Sequence, residues 1–282
     1  MDLESITPHQ WHLLTEEIST TIDKRQYFVS IFVDLKKAFD TIDHTILLKK
    51  LSKYGIRGVA HKWVSSYLEK RKQYVQINNV KSELQYIQCG VPQGSVLGPK
   101  LFILYINDFV YVSKLLKCIL FADDTTLFYC GEDITQVLNV VKQEFKRVKT
   151  WFDVNKLSLN LEKTNFMIFS NRGRDTGASI NIDGIEINRV RETKFLGVIL
   201  DENLCWKSHI HYTKAKILKT IALLHKVKDS LDNRALYILY NTMIVPYLTY
   251  CIEVWGHACK MYTQSIFMLQ KRAIRIINRK QY

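Results

Sequence analysis

Phe121-Ala122-Asp123-Asp124-Thr125-Thr126-Leu127 sets two adjacent carboxylates between two short apolar runs, and the rest of the 282-residue chain is read outward from it. Leu115 to Leu120 and Leu127 to Tyr129 are rich in leucine and aromatics but too short for independent helices. They read as paired strands with Asp123 and Asp124 at the bend. Two carboxylates held side by side repel, and each loses hydration; the usual stabiliser is a divalent cation that takes oxygen ligands, Mg²⁺ or Mn²⁺. Taken alone, the pair reads equally well as a solvated turn, because Asp is common in turns.

A second acidic strand favours the metal reading. Tyr27 to Val33 is a run of β-formers ending in Asp34, so a buried strand delivers a third carboxylate at its C-terminal end. Three acids on strand ends can hold two metals, and two-metal sites with ions about 3.5–4 Å apart serve in-line phosphoryl transfer. Between the acidic elements lies Gly90-Val91-Pro92-Gln93-Gly94-Ser95-Val96-Leu97-Gly98-Pro99, a loop that opens an apolar helix over Leu101 to Val110.

In this order and spacing the three segments resemble the reverse transcriptases of non-LTR (LINE-type) retrotransposons, most closely the jockey-like group. Phe32 to Thr41 matches motif A, Gly90 to Ser95 with Leu97-Gly98-Pro99 matches motif B, and Phe121 to Asp124 matches motif C. The resemblance implies an α+β fold: a right-hand polymerase palm, an antiparallel sheet with helices on one face, followed by a helical thumb. It implies an RNA-directed DNA polymerase using two Mg²⁺ ions held by Asp34, Asp123 and Asp124, with the Leu35 carbonyl as a further ligand. Phe39 matches the aromatic beneath the incoming sugar that excludes a 2′-hydroxyl, and Gln93 and Gly94 match the base-pair pocket. In that family a long fingers region precedes the first helix, and most of it has no counterpart in this sequence. The implied partners are an RNA template, a DNA primer and deoxynucleoside triphosphates, with the nucleus as the place of action. The alternative is a truncated, catalytically inactive product that still binds nucleic acid.

Composition agrees with a nucleic-acid partner. Hydrophobic residues make up 47% and charged residues 24%, an ordinary globular balance. The net charge of +13 is uneven: residues 1–140 hold 16 Lys+Arg against 15 Asp+Glu, residues 141–282 hold 24 against 12. A cationic half points to a polyanion, since phosphate neutralisation supplies most non-specific nucleic-acid affinity. No stretch approaches the roughly 20 apolar residues of a membrane span, and the acidic start is unlike a signal peptide. The cysteines show no Cys-x-x-Cys spacing, which fits an intracellular, reducing compartment.

By the same resemblance, the chain is expected to divide into an N-terminal helix over 1–26, a palm over 27–170 carrying motifs A to D, a primer-grip hairpin over 171–201 and a basic helical thumb over 202–282. Tyr74 to Ile77 and Leu84 to Ile87 read as a hairpin around Asn78-Asn79, and Asp183-Gly184 as a turn. Ile134 to Phe152 repeats apolar residues at helical spacing. Motif D, by resemblance, brings Lys163 to the leaving pyrophosphate. Phe195-Leu196-Gly197 resembles the motif E primer grip. In the thumb, Ile210, Ile217, Ile221 and Leu224 mark an apolar helix face with Lys214, Lys216 and Lys219 off it to meet nucleic acid, and Leu236 to Tyr250 reads as a further helix. His209-x-His211 and Cys251, His257 and Cys259 match no standard structural zinc spacing.

Overall fold

A computed structural model describes residues 3–172, 179–182 and 184–279, with side chains from Gln10 onward. Helix α1 (Leu3–Asp23) precedes β1 (Tyr27–Val33) and β2 (Leu35–Lys36); a 3-10 turn over Ala38–Asp40 then leads to α2 (His44–Lys53) and α3 (Gly58–Leu68). Short strands β3 (Lys72–Gln73), β4 (Gln76–Ile77), β5 (Val80–Lys81) and β6 (Gln85–Tyr86) come before α4 (Leu97–Ile106). Next are β7 (Lys117–Phe121), β8 (Asp124–Gly131), α5 (Ile134–Val154), β9 (Ser158–Leu159) and β10 (Asn165–Phe169). Strands β11 (Ile180–Ile182), β12 (Ile185–Arg189), β13 (Glu192–Phe195) and β14 (Val198–Asp201) follow. The chain closes with α6 (Lys207–Val227), α7 (Asn233–Met243), α8 (Val245–Thr249), α9 (Ile252–Trp255) and α10 (Lys260–Ile277).

These elements form two compact units: Tyr27–Phe166 with Gly173–Arg189, and Met1–Gln26 with Met167–Arg172 and Val190–Tyr282. The first is built on a sheet ordered β11-β12-β10-β1-β8-β7. Its β1–β8 and β7–β8 ladders are antiparallel, whereas β10 meets β12 in parallel at Asn165 and Phe166. Phe28 to Val33 are all buried, as a continuous apolar run of β-formers requires of a central strand. Helix α5 starts where Asp133 accepts the Thr135 N–H, and lays Val137, Val141, Phe145, Val148 and Phe152 on the core. Each of these is at most 1% exposed, so the stripe read at 3.6-residue spacing is the buried face. Asp183 of the expected turn lies outside the described residues.

The expected Tyr74 to Ile87 hairpin is present but discontinuous. Asn78 and Asn79, with φ of 46° and 67°, turn the tip, where Ile77 pairs with Val80. Val75 then bonds Ser82 through both its carbonyl and its N–H, while the base pairs Gln73 with Gln85. The return strand therefore carries one extra residue, a bulge that separates tip from base.

In the second unit, β13 and β14 form a hairpin that turns at Leu196-Gly197, with Phe195 opposite Val198. Trp11 of α1 packs edge-on against Phe195 and Trp206, with centroids 5.2 and 6.0 Å away. The buried Asp201 carboxylate accepts the N–H groups of Asn203, Cys205 and Trp206 and so shapes the exit from β14 into α6. Ile210, Ile217, Ile221 and Leu224 are buried along α6. The single helix expected over Leu236 to Tyr250 is broken into α7 and α8. Pro246 sits in the first turn of α8, where its missing N–H is harmless; within a continuous helix it would leave the carbonyl four residues back without a donor. Among the described residues no helix is long and apolar enough to cross a membrane.

Candidate active site

The register of β1 on β8 brings the acids together. Val33 lies opposite Thr125, so one further step sets Asp34 beside Asp124. Strands β7 and β8 join through Ala122-Asp123, with Phe121 opposite Asp124 and Ala122 in the left-handed region at φ 50°. Asp123 thus occupies the turn and Asp124 the first position of β8. Loss of hydration raises the Asp124 carboxyl above its ordinary range, and the charges of Asp123 and Asp34 raise it further. Asp124 is exposed at the sheet end, and it is there that the charges of Asp123 and Asp34 reach it.

Asp34 is gripped from the motif D turn. Asn160 Nδ2 donates to Asp34 Oδ2 at 2.9 Å, the Asn160 N–H donates to the Asp34 carbonyl at 2.9 Å, and the Asp34 N–H reaches Thr164 Oγ1 at 3.3 Å. Thr164 Oγ1 in turn donates to the Asn160 carbonyl. Leu35 pairs with Leu159, so β2 and β9 continue the same clamp. Asn160 and Thr164 carry no role in the sequence reading, and nothing in their local pattern marks them, because Asp34 is 126 and 130 positions away. Lys163 lies in this turn with an exposed side chain, and its N–H donates to the Asn160 carbonyl.

The motif A turn and the motif B loop are locked together. The Gly90 N–H donates to the Ile42 carbonyl, the Val91 N–H to the Phe39 carbonyl, and Gln93 Nε2 to Asp40 Oδ1 at 2.8 Å. Gly90 has φ +85°, and a Cβ there would sit 2.7 Å from the Asp40 carbonyl oxygen, so only glycine fits. Phe39 is half-buried, its ring centroid 4.7 Å from that of Phe102. Gly94, at φ +76°, faces open space.

In the second unit, Leu196 and Gly197 both take positive φ, 41° and 82°, as a two-residue hairpin turn demands. Tyr250 Oη donates to the Leu196 carbonyl at 2.6 Å, and its ring fills the space a Gly197 side chain would need. What approaches Gly197 is therefore the Tyr250 side chain. A cavity of about 370 Å³ lined by Lys194, Gly197, His209, Tyr212 and Tyr250 adjoins this turn. Lys194 and Lys216 lie over the Tyr212 ring, Lys219 is exposed, and Lys214 is partly covered.

Among the described residues, no three Asp, Glu, His or Cys side chains converge as a ready metal cluster. The donor set nonetheless fits a hard cation: carboxylate oxygens at a sheet end, where lost hydration and then the charges of Asp123 and Asp34 raise the Asp124 carboxyl, suit Mg²⁺.

A central antiparallel-rich sheet carrying acids at one end, followed in sequence by a helical unit, defines the palm and thumb of a right-hand nucleic-acid polymerase. The chain belongs to the family described as reverse transcriptase (RNA-dependent DNA polymerase), which matches residues 3–200. It is 30% identical, over 98% of its length, to the RNA-directed DNA polymerase from the mobile element jockey of Drosophila funebris, and spans 31% of that protein. It is 28% identical, over 96% of its length, to the probable RNA-directed DNA polymerase from transposon BS of Drosophila melanogaster, again spanning 31% of the relative. The chain is thus a reverse transcriptase domain of the non-LTR retrotransposon kind, under a third the length of these relatives. Telomerase from Candida tropicalis, solved with a fragment of telomeric RNA, shares the fold with a TM-score of 0.50 at 11% identity, covering 98% of this chain and 43% of that one.

Proposed function

We propose that the chain extends the 3′-hydroxyl of a DNA primer with deoxynucleoside triphosphates on an RNA template, as the palm and thumb of a retrotransposon polymerase acting in the nucleus. The observation that carries this reading is the strand register: Val33 opposite Thr125 and Phe121 opposite Asp124 place Asp34, Asp123 and Asp124 at one end of the sheet. Two Mg²⁺ ions held by these acids and the Leu35 carbonyl would supply Lewis-acid stabilisation of the attacking and leaving oxygens. Asn160 and Thr164 hold Asp34 in place, so its carboxylate keeps one oxygen free of the clamp. Phe39 lies under the sugar, backed by Phe102, and rejects a 2′-hydroxyl by contact. Gln93, anchored on Asp40, and Gly94 line the base pair. Lys163 offers a proton to the departing pyrophosphate from a turn that is itself hydrogen-bonded to Asp34. Phe195, Leu196 and Gly197 steady the primer end, and Lys214, Lys216 and Lys219 meet backbone phosphates.

The test is primer extension on RNA and DNA templates with Mg²⁺, with and without a fingers segment supplied from a related element. Extension that requires Asp123 supports the assignment. An Asp123→Asn protein that extends primers as well as the parent would remove it.

A further inference from the structure

Away from the acids, the segment from α3 to β6 carries an unusual surface. Residues 57–88 hold six Lys+Arg against two acids, and Trp63, Tyr74 and Tyr86 face solvent. Strand alternation puts Lys72, Tyr74 and Gln76 on one face, and the ladders set Tyr86 opposite Lys72 and Lys81 opposite Gln76. On that face Lys72 Nζ sits 4.7 Å from the Tyr86 ring centroid and Lys81 Nζ 5.1 Å from that of Tyr74. At the base the pattern repeats: the Arg71 guanidinium lies 5.1 Å from the Tyr67 ring, which itself stacks on Trp63. Tyr74, Tyr86 and Trp63 remain 47%, 61% and 56% exposed, so each keeps open surface despite its neighbour. The same face runs into a cavity of about 450 Å³ lined by Arg71, Tyr86, Gln88 and the Gly90 to Gln93 loop.

Exposed apolar area of this kind costs solubility unless something covers it. A protein partner would be met by an apolar patch with few cations at its centre. Here Tyr67, Tyr74 and Tyr86 each carry a cation, the arrangement that receives a strand with π-faced bases and an anionic backbone. We propose that this arm is a binding site for single-stranded nucleic acid, whose bases stack on Tyr74 and Tyr86 while Arg71, Lys72 and Lys81 meet its phosphates. Duplexes keep their bases stacked internally and gain little from such a face.

The test measures binding of a labelled uridine 12-mer, a thymidine 12-mer and a duplex of mixed sequence by fluorescence anisotropy across salt concentrations. Nucleotide addition is not involved, so the result is independent of the polymerase reading. Tyr74→Ala/Tyr86→Ala is expected to weaken both single strands by roughly five- to hundredfold per ring and leave the duplex unchanged. Tyr74→Leu/Tyr86→Leu keeps apolar area without a π face and is expected to lose single-strand affinity too. Lys72→Gln/Lys81→Gln is expected to lower the single-strand salt slope by roughly 0.7 per lost contact. These side chains are exposed, and circular dichroism checks that each variant folds; should a tyrosine variant fail, the lysine slope still decides. Parent-like single-strand binding by the tyrosine variants, retention by the leucine variant, an equal loss on the duplex, a loss confined to one sugar, or an unchanged slope would each overturn the proposal. Retention by the leucine variant would point instead to an apolar docking face for protein.

Discussion

Loss of hydration raises the Asp124 carboxyl, and the like charges of Asp123 and Asp34 raise it further. Replacing Asp123 with Asn removes one charge at almost constant volume. Extension activity is therefore expected to vanish while the metal-free fold keeps or gains stability, and the Asp124 carboxyl should titrate lower than in the parent. Activity assays, thermal melts and NMR titration together check this; a lower melting temperature without metal would contradict it. Phe39 is poised between two roles, since its ring is half-buried against Phe102 yet partly open. Trimming it to Val is expected to admit ribonucleotides, because only a repulsive contact with the 2′-hydroxyl is removed. The lost Phe102 contact should also cost roughly 1–3 kcal/mol. Comparing ribo- and deoxynucleotide incorporation alongside a melting curve separates the effects, and unchanged sugar choice with a lowered melting point would leave Phe39 as a packing residue.

Among elements, the motif A turn and motif B loop behave as one piece, because Gly90 lets the loop backbone lie directly on Asp40. Gly90→Ala forces a Cβ into that carbonyl at a positive φ, so a loss of roughly 2–4 kcal/mol is expected in urea unfolding. Because Gln93 hangs from Asp40, nucleotide affinity should fall with it, whereas wild-type stability in the variant would show that the loop can move aside. In the second unit, His209 is buried where α6 meets β14, its Nδ1 accepting the Ile199 N–H. Burial, with Lys194 nearby, lowers its pKa to about 4. Unfolded histidine titrates near 6.5, so the unfolded chain takes up the proton first. The neutral-ring contribution is complete above pH 6.5 and is lost as pH falls toward 4, a change of roughly 3 kcal/mol. Unfolding measured between pH 7.5 and 4.5 should show the slope, and His209→Gln, which cannot titrate, should flatten it; an identical slope in both would place the sensitivity elsewhere.

Across the whole molecule, the +13 charge and its concentration in residues 141–282 predict steep salt dependence of duplex binding. Lys214→Gln/Lys216→Gln/Lys219→Gln is expected to reduce the slope of log affinity against log salt by about 2–3, since each phosphate contact contributes about 0.9. An unchanged slope would mean that these lysines do not touch the backbone. Sequence by itself determined the elements whose signals are local. The β-former run of β1, the 3.6-residue stripe of α5, the Asn78-Asn79 turn and the place of Asp123-Asp124 at a strand junction were legible because period and turn chemistry are properties of neighbouring residues. The break at Pro246 is also written locally, although the apolar spacing around it favours one continuous helix. Only the tertiary structure decided that Asn160 and Thr164 clamp Asp34, that Gly90 is required by Asp40, and that Trp11 closes on Phe195 and Trp206. Such contacts join positions far apart in the chain. An asparagine that clamps an aspartate has the same local pattern as one that ends a turn, and only strand register and close packing bring its partner within 3 Å.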